Sequence, residues 1–243
     1  LCFSGGWPGD EYYLYCLCRF DTKAQEVGVW EGDNIYPGLL HIEKNAEGVH
    51  RGAYCRFDTR KDSQIHLKVA LSFTGFEKAE ELMMQEIPGF NFDKVVRQGI
   101  KAWDDKLSSV KIESLSDSDR TIFYSALYRV FTLARDRSLD NSKWESDKPF
   151  WDDNYAFWDT FRTAYPLITI LDEKAMSDNI NAMIDRQIHN GQVCDGFVAG
   201  IDRLGDQGGN DVDHVIADAF LKGVKGVDWH EAYKIVKHNA DMK

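Results

Sequence analysis

The hydrophobic and polar positions change period part-way along the chain. Up to about residue 76 the pattern is that of strands. Glu11 to Phe20 is a run of strand-type aromatics ending at Asp21-Thr22, ready to turn, and Gly52 to Phe57 is a second such run. Gln64 to Phe73 alternates, with Ile65, Leu67, Val69 and Leu71 on one side. Gly32-Asp33-Asn34 and Pro37-Gly38 punctuate the region. Several short strands at this spacing predict a β-sandwich.

Beyond this the period becomes helical. Helices are predicted over Phe76 to Glu86 and over Phe92 to Leu107, the second with a stripe of Val95, Val96, Ile100 and Trp103. A short strand is predicted at Val110 to Ile112. A helix from Asp119 to Asp136 would carry Ile122, Phe123, Ala126, Leu127, Val130 and Phe131 on one face. Glu173 to Asn190 stops at Gly191, and Asp211 to Lys222 stops at Gly223, since glycine readily takes the left-handed conformation that ends a helix. Asp228 to Asp241 opens with an N-cap aspartate and Glu231 three places later, close to a capping box. Loops of very different length between these helices fit an α/α toroid better than a simple bundle. The domain reading is a partial β-sandwich over 1–86, a linker helix and connection over 87–112, and the first part of a helical, toroid-like domain over 113–243. The opening residues already read as strand and the last helix is still running at Lys243, so both ends are expected to lie inside a longer protein.

Composition narrows the function. Forty Asp and Glu against 29 Lys and Arg give a formal charge of −11, which repels a phosphate backbone and excludes nucleic acid as the expected partner. No apolar run approaches the roughly 20 residues of a membrane helix. Cys2, Cys16, Cys18, Cys55 and Cys194 form no CxxC pair, and Cys16 and Cys18 would share one side of a strand as core thiols. Seven Trp, ten Tyr and fourteen Phe supply core area, and beside carboxylates they also suit sugars, which present apolar C–H faces next to hydroxyls.

Chemistry concentrates in two segments. Phe150 to Arg162 interleaves Trp151, Tyr155, Phe157, Trp158 and Phe161 with Asp152, Asp153, Asp159 and Arg162. A pyranose can lay its C–H face on an indole while a neighbouring carboxylate accepts from two hydroxyls. The plainer reading makes Asp159 a helix N-cap, Arg162 its partner and the aromatics core. The second segment, Gly205 to Asp218, places Asp211, Asp213 and His214 at a helix start. There a cap at Asn210 or Asp211 competes with metal ligation. Asp218, deep in an apolar helix, should be paired. No GxSxG, P-loop, HExxH or dinucleotide fingerprint occurs.

Three blocks in order resemble glycoside hydrolase family 92: Phe123-Tyr-Ser-Ala-Leu-Tyr-Arg129, Tyr155-Ala-Phe-Trp-Asp-Thr-Phe-Arg-Thr-Ala-Tyr-Pro-Leu167 and Val215-Ile-Ala-Asp-Ala-Phe-Leu-Lys-Gly223. Gly52 to Phe57, Ser72 to Ala79 and Trp103 fall in matching order upstream. The resemblance implies a β-sandwich followed by an (α/α)6 toroid, and an inverting, calcium-dependent exo-α-mannosidase, secreted or periplasmic, acting on α-mannoside carbohydrate. It carries the pocket residues over to Trp158 and Asp159, with Arg162 beside them as a further sugar-binding candidate. The general bases and most calcium ligands are expected beyond residue 243, and no metal ligand is assigned within this chain. Most members carry Glu just before the third block as general acid. This chain has no Glu between Glu173 and Glu231, and Gln207 is the nearest polar candidate, with Asp195, Asp202 and Asp206 as alternatives. A branch resembling mannose-1-phospho-6-mannose hydrolases carries Gln there, because a phosphate leaving group needs little protonation. Tyr165 stands where the family has His. A sugar-binding, non-catalytic role for the 243 residues by themselves is the reading from another class.

Overall fold

The computed structural model describes all residues except 8–9, 43–47, 61–62, 114–115, 194–195, 203–208 and 243. The chain divides into two compact units, Leu1–Gly5 with Tyr13–Gln98, and Gly6–Tyr12 with Gly99–Lys243. Their architecture is a partial β-sandwich and part of an α/α toroid.

The β region is built on two three-stranded sheets. One takes the order β1 (Cys2–Trp7), β2 (Asp10–Phe20), β6 (Leu67–Ser72), and the other the order β4 (Asn34–Pro37), β3 (Glu26–Glu31), β5 (Arg51–Arg56). β6 runs antiparallel to β2, with Cys16 opposite Leu71 and Cys18 opposite Val69. In the second sheet, large rings close over cross-strand glycines: Gly28 faces Tyr54 and Gly52 faces Trp30. A Cβ on Gly28 would meet the Tyr54 ring at 2.7 Å, and one on Gly52 the Trp30 indole at 2.8 Å, so both rings require glycine opposite them. The Phe20 and Phe57 rings, 4.9 Å apart, link the sheets.

The alternation along β6 is real, but its faces are used the other way round. Lys68 and Ser72 are buried, while Leu67, Val69 and Leu71 stand about half exposed. The reason is α1 (Phe76–Glu86), which packs on the face opposite the leucines with Ala79 and Met83 fully enclosed. Lys68 snorkels along this contact to donate to the Ile87 carbonyl at 2.8 Å, and Ser72 Oγ accepts from the amides of Thr74 and Gly75. Cys16 and Cys18 lie on the leucine face, their sulfurs 3.9 Å apart, one half-buried and one exposed. They are therefore not the enclosed core thiols expected. Cys194 lies outside the described residues.

α2 (Phe92–Leu107) buries none of its residues fully. The strand expected at Val110 to Ile112 is absent. That stretch pairs with no strand: the Val110 amide donates to the Leu107 carbonyl at 3.3 Å and its carbonyl accepts from the Tyr124 hydroxyl at 3.0 Å. α3 (Asp117–Val130) is capped by Ser116, whose hydroxyl accepts from the Asp119 amide. It ends six residues before the expected Asp136, and only Leu127 of its apolar face is buried. Arg135–Asp136, as β7, leave the helix to pair with β8 (Trp151–Asp152), and Arg137 reaches the Asp152 carboxylate.

The remaining helices enclose one core. α4 (Phe157–Thr160), α5 (Ala164–Leu171), α6 (Glu173–Asn190), α7 (Asp211–Leu221) and α8 (Trp229–Asp241) follow, with the short hairpin β9 (Phe197–Val198) and β10 (Ile201–Asp202) between α6 and α7. Phe157, Met176, Ile180, Met183, Phe197, Val212, Val215, Ala219, Ala232 and Ile235 meet at its centre. α6 begins where Asp172 accepts from the Ala175 amide and ends at Gly191, with φ 77°. Asp228 caps α8 by accepting from His230 and Glu231 amides, while the Glu231 carboxylate turns to Lys234 rather than closing a capping box. No helix among the described residues is long and apolar enough to cross a membrane.

Candidate functional site

The aromatic–carboxylate segment folds by sorting its side chains to opposite sides. Phe150, Asp152, Asn154 and Phe157 point inward and are buried, whereas Tyr155, Trp158 and Asp159 are exposed. Two non-glycine residues in the left-handed region, Asp153 (φ 56°) and Ala156 (φ 54°), make the turns that separate the two sets. Ala199 (φ 54°), between β9 and β10, is a third. Such conformations cost about 1–3 kcal/mol each and persist where the surroundings dictate them, which is common at ligand sites.

The inner set is a polar frame. Asn154 Oδ1 accepts from the Tyr165 hydroxyl at 2.5 Å and from Asn179 at 3.3 Å, and its carbonyl accepts from the Phe197 amide at 2.9 Å. Tyr165 also stacks on Phe157, centroids 5.0 Å apart, and burial pushes its phenol well above the ordinary tyrosine range. Tyr165 thus has a structural task, holding Asn154 and stacking on Phe157. Asp152 is fully enclosed. Its carboxylate receives Arg137 and the Gly200 amide at 2.7 Å, and faces Arg186 at 3.6 Å. Burial raises the Asp152 carboxyl above its usual value, against the pull of Arg137 and Arg186.

The outer set is open. Trp158 is 46% exposed, and the Asp159 carboxylate is exposed with no protein partner among the described residues. Asp159 does not cap a helix: α4 starts from Ala156, and Asp159 sits within it. Nor is Arg162 its partner. The Arg162 guanidinium donates to the Trp158 carbonyl at 3.4 Å and lies 5.3 Å from the Phe161 ring centroid. The plainer reading of this trio is therefore not the geometry seen. An accessible indole followed by an unpaired carboxylate is chemically able to hold a polyhydroxylated ring, one face on carbon and two hydroxyls on oxygen.

The second segment is only partly visible. Gln207, Asp195 and Asp206 lie outside the described residues. Asp202 has both carboxylate oxygens engaged, by Arg186 at 2.5 Å and Asn190 at 2.8 Å. Asp211, Asp213 and His214 are not gathered around a point. Asp213 accepts from Asn239, and the His214 ring lies 4.9 Å from that of Phe161, with Nδ1 3.5 Å from Asp211. Among the described residues no group of three or more His, Cys, Asp or Glu side chains is placed to hold a metal ion. Asn210 occupies the N-cap of α7 but turns its amide to the Asn239 carbonyl, and Asp218 is paired with Lys222 at 2.6 Å as expected.

Comparison with known proteins decides the family. The model of the glycosyl hydrolase family 92 catalytic domain matches residues 78–243, and that of the family 92 N-terminal domain matches residues 2–72. The chain belongs to glycosyl hydrolase family 92. A protein of Arthroderma benhamiae named an uncharacterized secreted glycosidase is 27% identical over 248 residues, covering 99% of this chain and 27% of its own length. The family 92 inverting mannosidase BT2199 of Bacteroides thetaiotaomicron superposes with a TM-score of 0.79 at 25% identity, over 93% of this chain and 31% of that one. The α-mannosidase BT3965 of the same organism superposes with a TM-score of 0.75 at 20% identity, over 95% of this chain and 32% of that one. The family 92 chain described here thus spans about a third or less of these relatives. The buried frame of Asn154, Tyr165, Asn179 and Arg186 was not picked out from the sequence. The available signal was Asn179 and Arg186 seven residues apart on a helix that also buries Met176, Ile180 and Met183, since polar groups on a buried stripe must have partners.

Proposed function

We propose that this chain is part of a calcium-dependent, inverting exo-α-mannosidase, secreted or periplasmic, in which Trp158 and Asp159 bind the terminal mannose. The observation that carries the reading is an exposed indole followed in sequence by an exposed carboxylate without a protein partner among the described residues, within the stretch matched by the family 92 catalytic domain. The names of BT2199 and of the secreted glycosidase support the inverting reaction and the location. In such a hydrolysis a general acid protonates the leaving oxygen as the glycosidic bond breaks. Water adds its hydroxyl to C1 from the opposite face and gives its proton to a general base. The residues seen here serve the binding half: Trp158 supports the ring face, Asp159 fixes two hydroxyls, and Arg162 stands beside them. Among the described residues no side-chain cluster is placed to hold calcium, so no ligand for it is assigned in this chain.

The test uses the full-length enzyme on an α-mannoside, with proton NMR reading which anomer of mannose forms first. β-Mannose is expected, with loss of turnover on chelation and its return with calcium. α-Mannose first would overturn inversion, indifference to chelator would overturn the calcium requirement, and absence of turnover would overturn the substrate class. The position of Gln207 favours a companion reading, a mannosyl phosphodiester such as mannose-1-phospho-6-mannose, because an amide supplies no proton. Under that reading Gln207→Glu raises the rate on simple α-mannosides, and a lower rate counts against it. The isolated 243 residues are expected to bind mannose weakly without turnover, and turnover by them alone would refute this.

A further inference from the structure

Arg186 is one of the most enclosed charged groups in the molecule, 1% exposed on α6. Its guanidinium carbon lies 4.0 Å from the Phe197 ring centroid, 5.4 Å from that of Trp144 and 5.6 Å from that of Phe150. One nitrogen donates to Asp202 of β10 at 2.5 Å and the other faces Asp152 of β8 at 3.6 Å. Asn190, one helical turn on, fixes the second oxygen of Asp202.

An enclosed ion pair is weak evidence for stability by itself. Enclosed ion pairs replaced by well-packed apolar residues are often neutral or more stable, whereas a planar fork spanning two carboxylates fixes geometry. β8 runs directly into strained backbone at Asp153, and β10 follows the hairpin turn in which Ala199 also takes a left-handed conformation. The Ala199 amide donates to the Asp153 carboxylate at 3.3 Å. From the same hairpin, Phe197 donates its amide to Asn154 and sets its ring 6.1 Å from that of Phe157, the residue before Trp158.

We propose that Arg186 is a positioning residue for the sugar site. By hydrogen-bonding Asp202 and ion-pairing with Asp152, beside Arg137 and the Gly200 amide that also hold that carboxylate, it helps set the backbone course from Asp153 to Phe157, and so where Trp158 and Asp159 are held. This rests on the reading of Trp158 and Asp159 as the mannose-binding pair.

The test compares full-length wild type with Arg186→Lys and, separately, Asp202→Asn. Lysine keeps the charge but loses the fork, and asparagine keeps the shape but loses the anion. Three quantities are measured: amide hydrogen exchange over 151–159 and 197–202, kcat and KM on an aryl α-mannoside, and melting temperature. The expected result is faster exchange in both segments and a loss of catalytic efficiency of about tenfold to hundredfold, the scale of a misplacement near 1 Å. Restoring arginine should return both. A lower melting temperature with unchanged kcat, KM and exchange would make Arg186 merely structural and overturn the proposal. If Arg186→Lys does not fold, Asp202→Asn decides by the same readouts. If wild type does not cleave α-mannosides, the function reading fails, while the exchange data still decide whether Arg186 fixes the segment.

Discussion

The sheet unit and the helical unit use the same apolar residues differently. Leu67, Val69 and Leu71 alternate along β6 and stand about half exposed, whereas Val212, Val215, Ile216 and Ala219 on α7 are sealed by α4, α5 and α8. Periodicity says which side chains share a face, and only the elements packed against that face say whether it is covered. The helical unit closes on itself because α6 offers apolar groups on several sides and receives α5 and α8 against them.

The sharpest way to break this contrast is truncation. Ile180→Ala, in the centre of the helical core, should cost about 2–5 kcal/mol of unfolding free energy, because it leaves a cavity among residues that relax only partly. Leu71→Ala, on the open face, should cost roughly 1 kcal/mol, since only about half of the side chain leaves water on folding. Denaturant unfolding of both variants measures this, and equal costs would mean that the leucine face is covered in solution.

The next effect contrasts the two sides of the Phe150–Arg162 segment. Asp159→Asn should leave the melting temperature unchanged, because Asp159 is exposed and caps nothing. Its effect on catalytic efficiency in the full-length enzyme should be about tenfold to hundredfold, the loss of a charge-assisted acceptor worth roughly 1.5–3 kcal/mol. Tyr165→Phe, on the buried side, should do the reverse and lower stability by about 1 kcal/mol or more, since Asn154 loses a partner where water cannot replace it. Matched stability losses, or matched efficiency losses, would erase the division between the two sides.

Smaller still are the end effects. Asp228→Ala should cost about 1 kcal/mol by freeing the first amides of α8, read as a drop in thermal stability. In the sheet unit, the His66 hydrogen bond holds the Asp21 carboxyl below its ordinary value, helped by the Thr22 hydroxyl and the His66 amide. A depressed carboxylate contributes stability above its unfolded pKa, near 3.9, and loses that contribution as pH falls through the lower folded value. Asp21→Asn should therefore slightly flatten the decline of melting temperature below about pH 4. An unchanged acid limb would show that the His66 contact is not kept in solution.

Much of this was legible in the sequence because it is local. The runs Phe76–Glu86, Phe92–Leu107 and Glu173–Asn190 form helices with those bounds, and Gly191 and Gly223 end their helices with positive φ, as backbone sterics require. The Asp228 cap and the Asp218–Lys222 pair also follow from spacing of a few residues. The ordered blocks around Phe123, Trp158 and Val215 were enough to place the chain in its family.

Tertiary structure decided what spacing cannot encode. It ended α3 early, because Arg135–Asp136 find a partner strand only after the fold brings Trp151–Asp152 alongside. It enclosed the even side of β6 by laying α1 there, and engaged both oxygens of Asp202 by setting Arg186 and Asn190 against it. It also separated Asp152 from Asp159, similar on paper and seven residues apart, into an enclosed carboxyl and an open one. A carboxylate's role depends on the solvent and charges around it. Those are supplied by residues dozens of positions away in the chain, which no local pattern records.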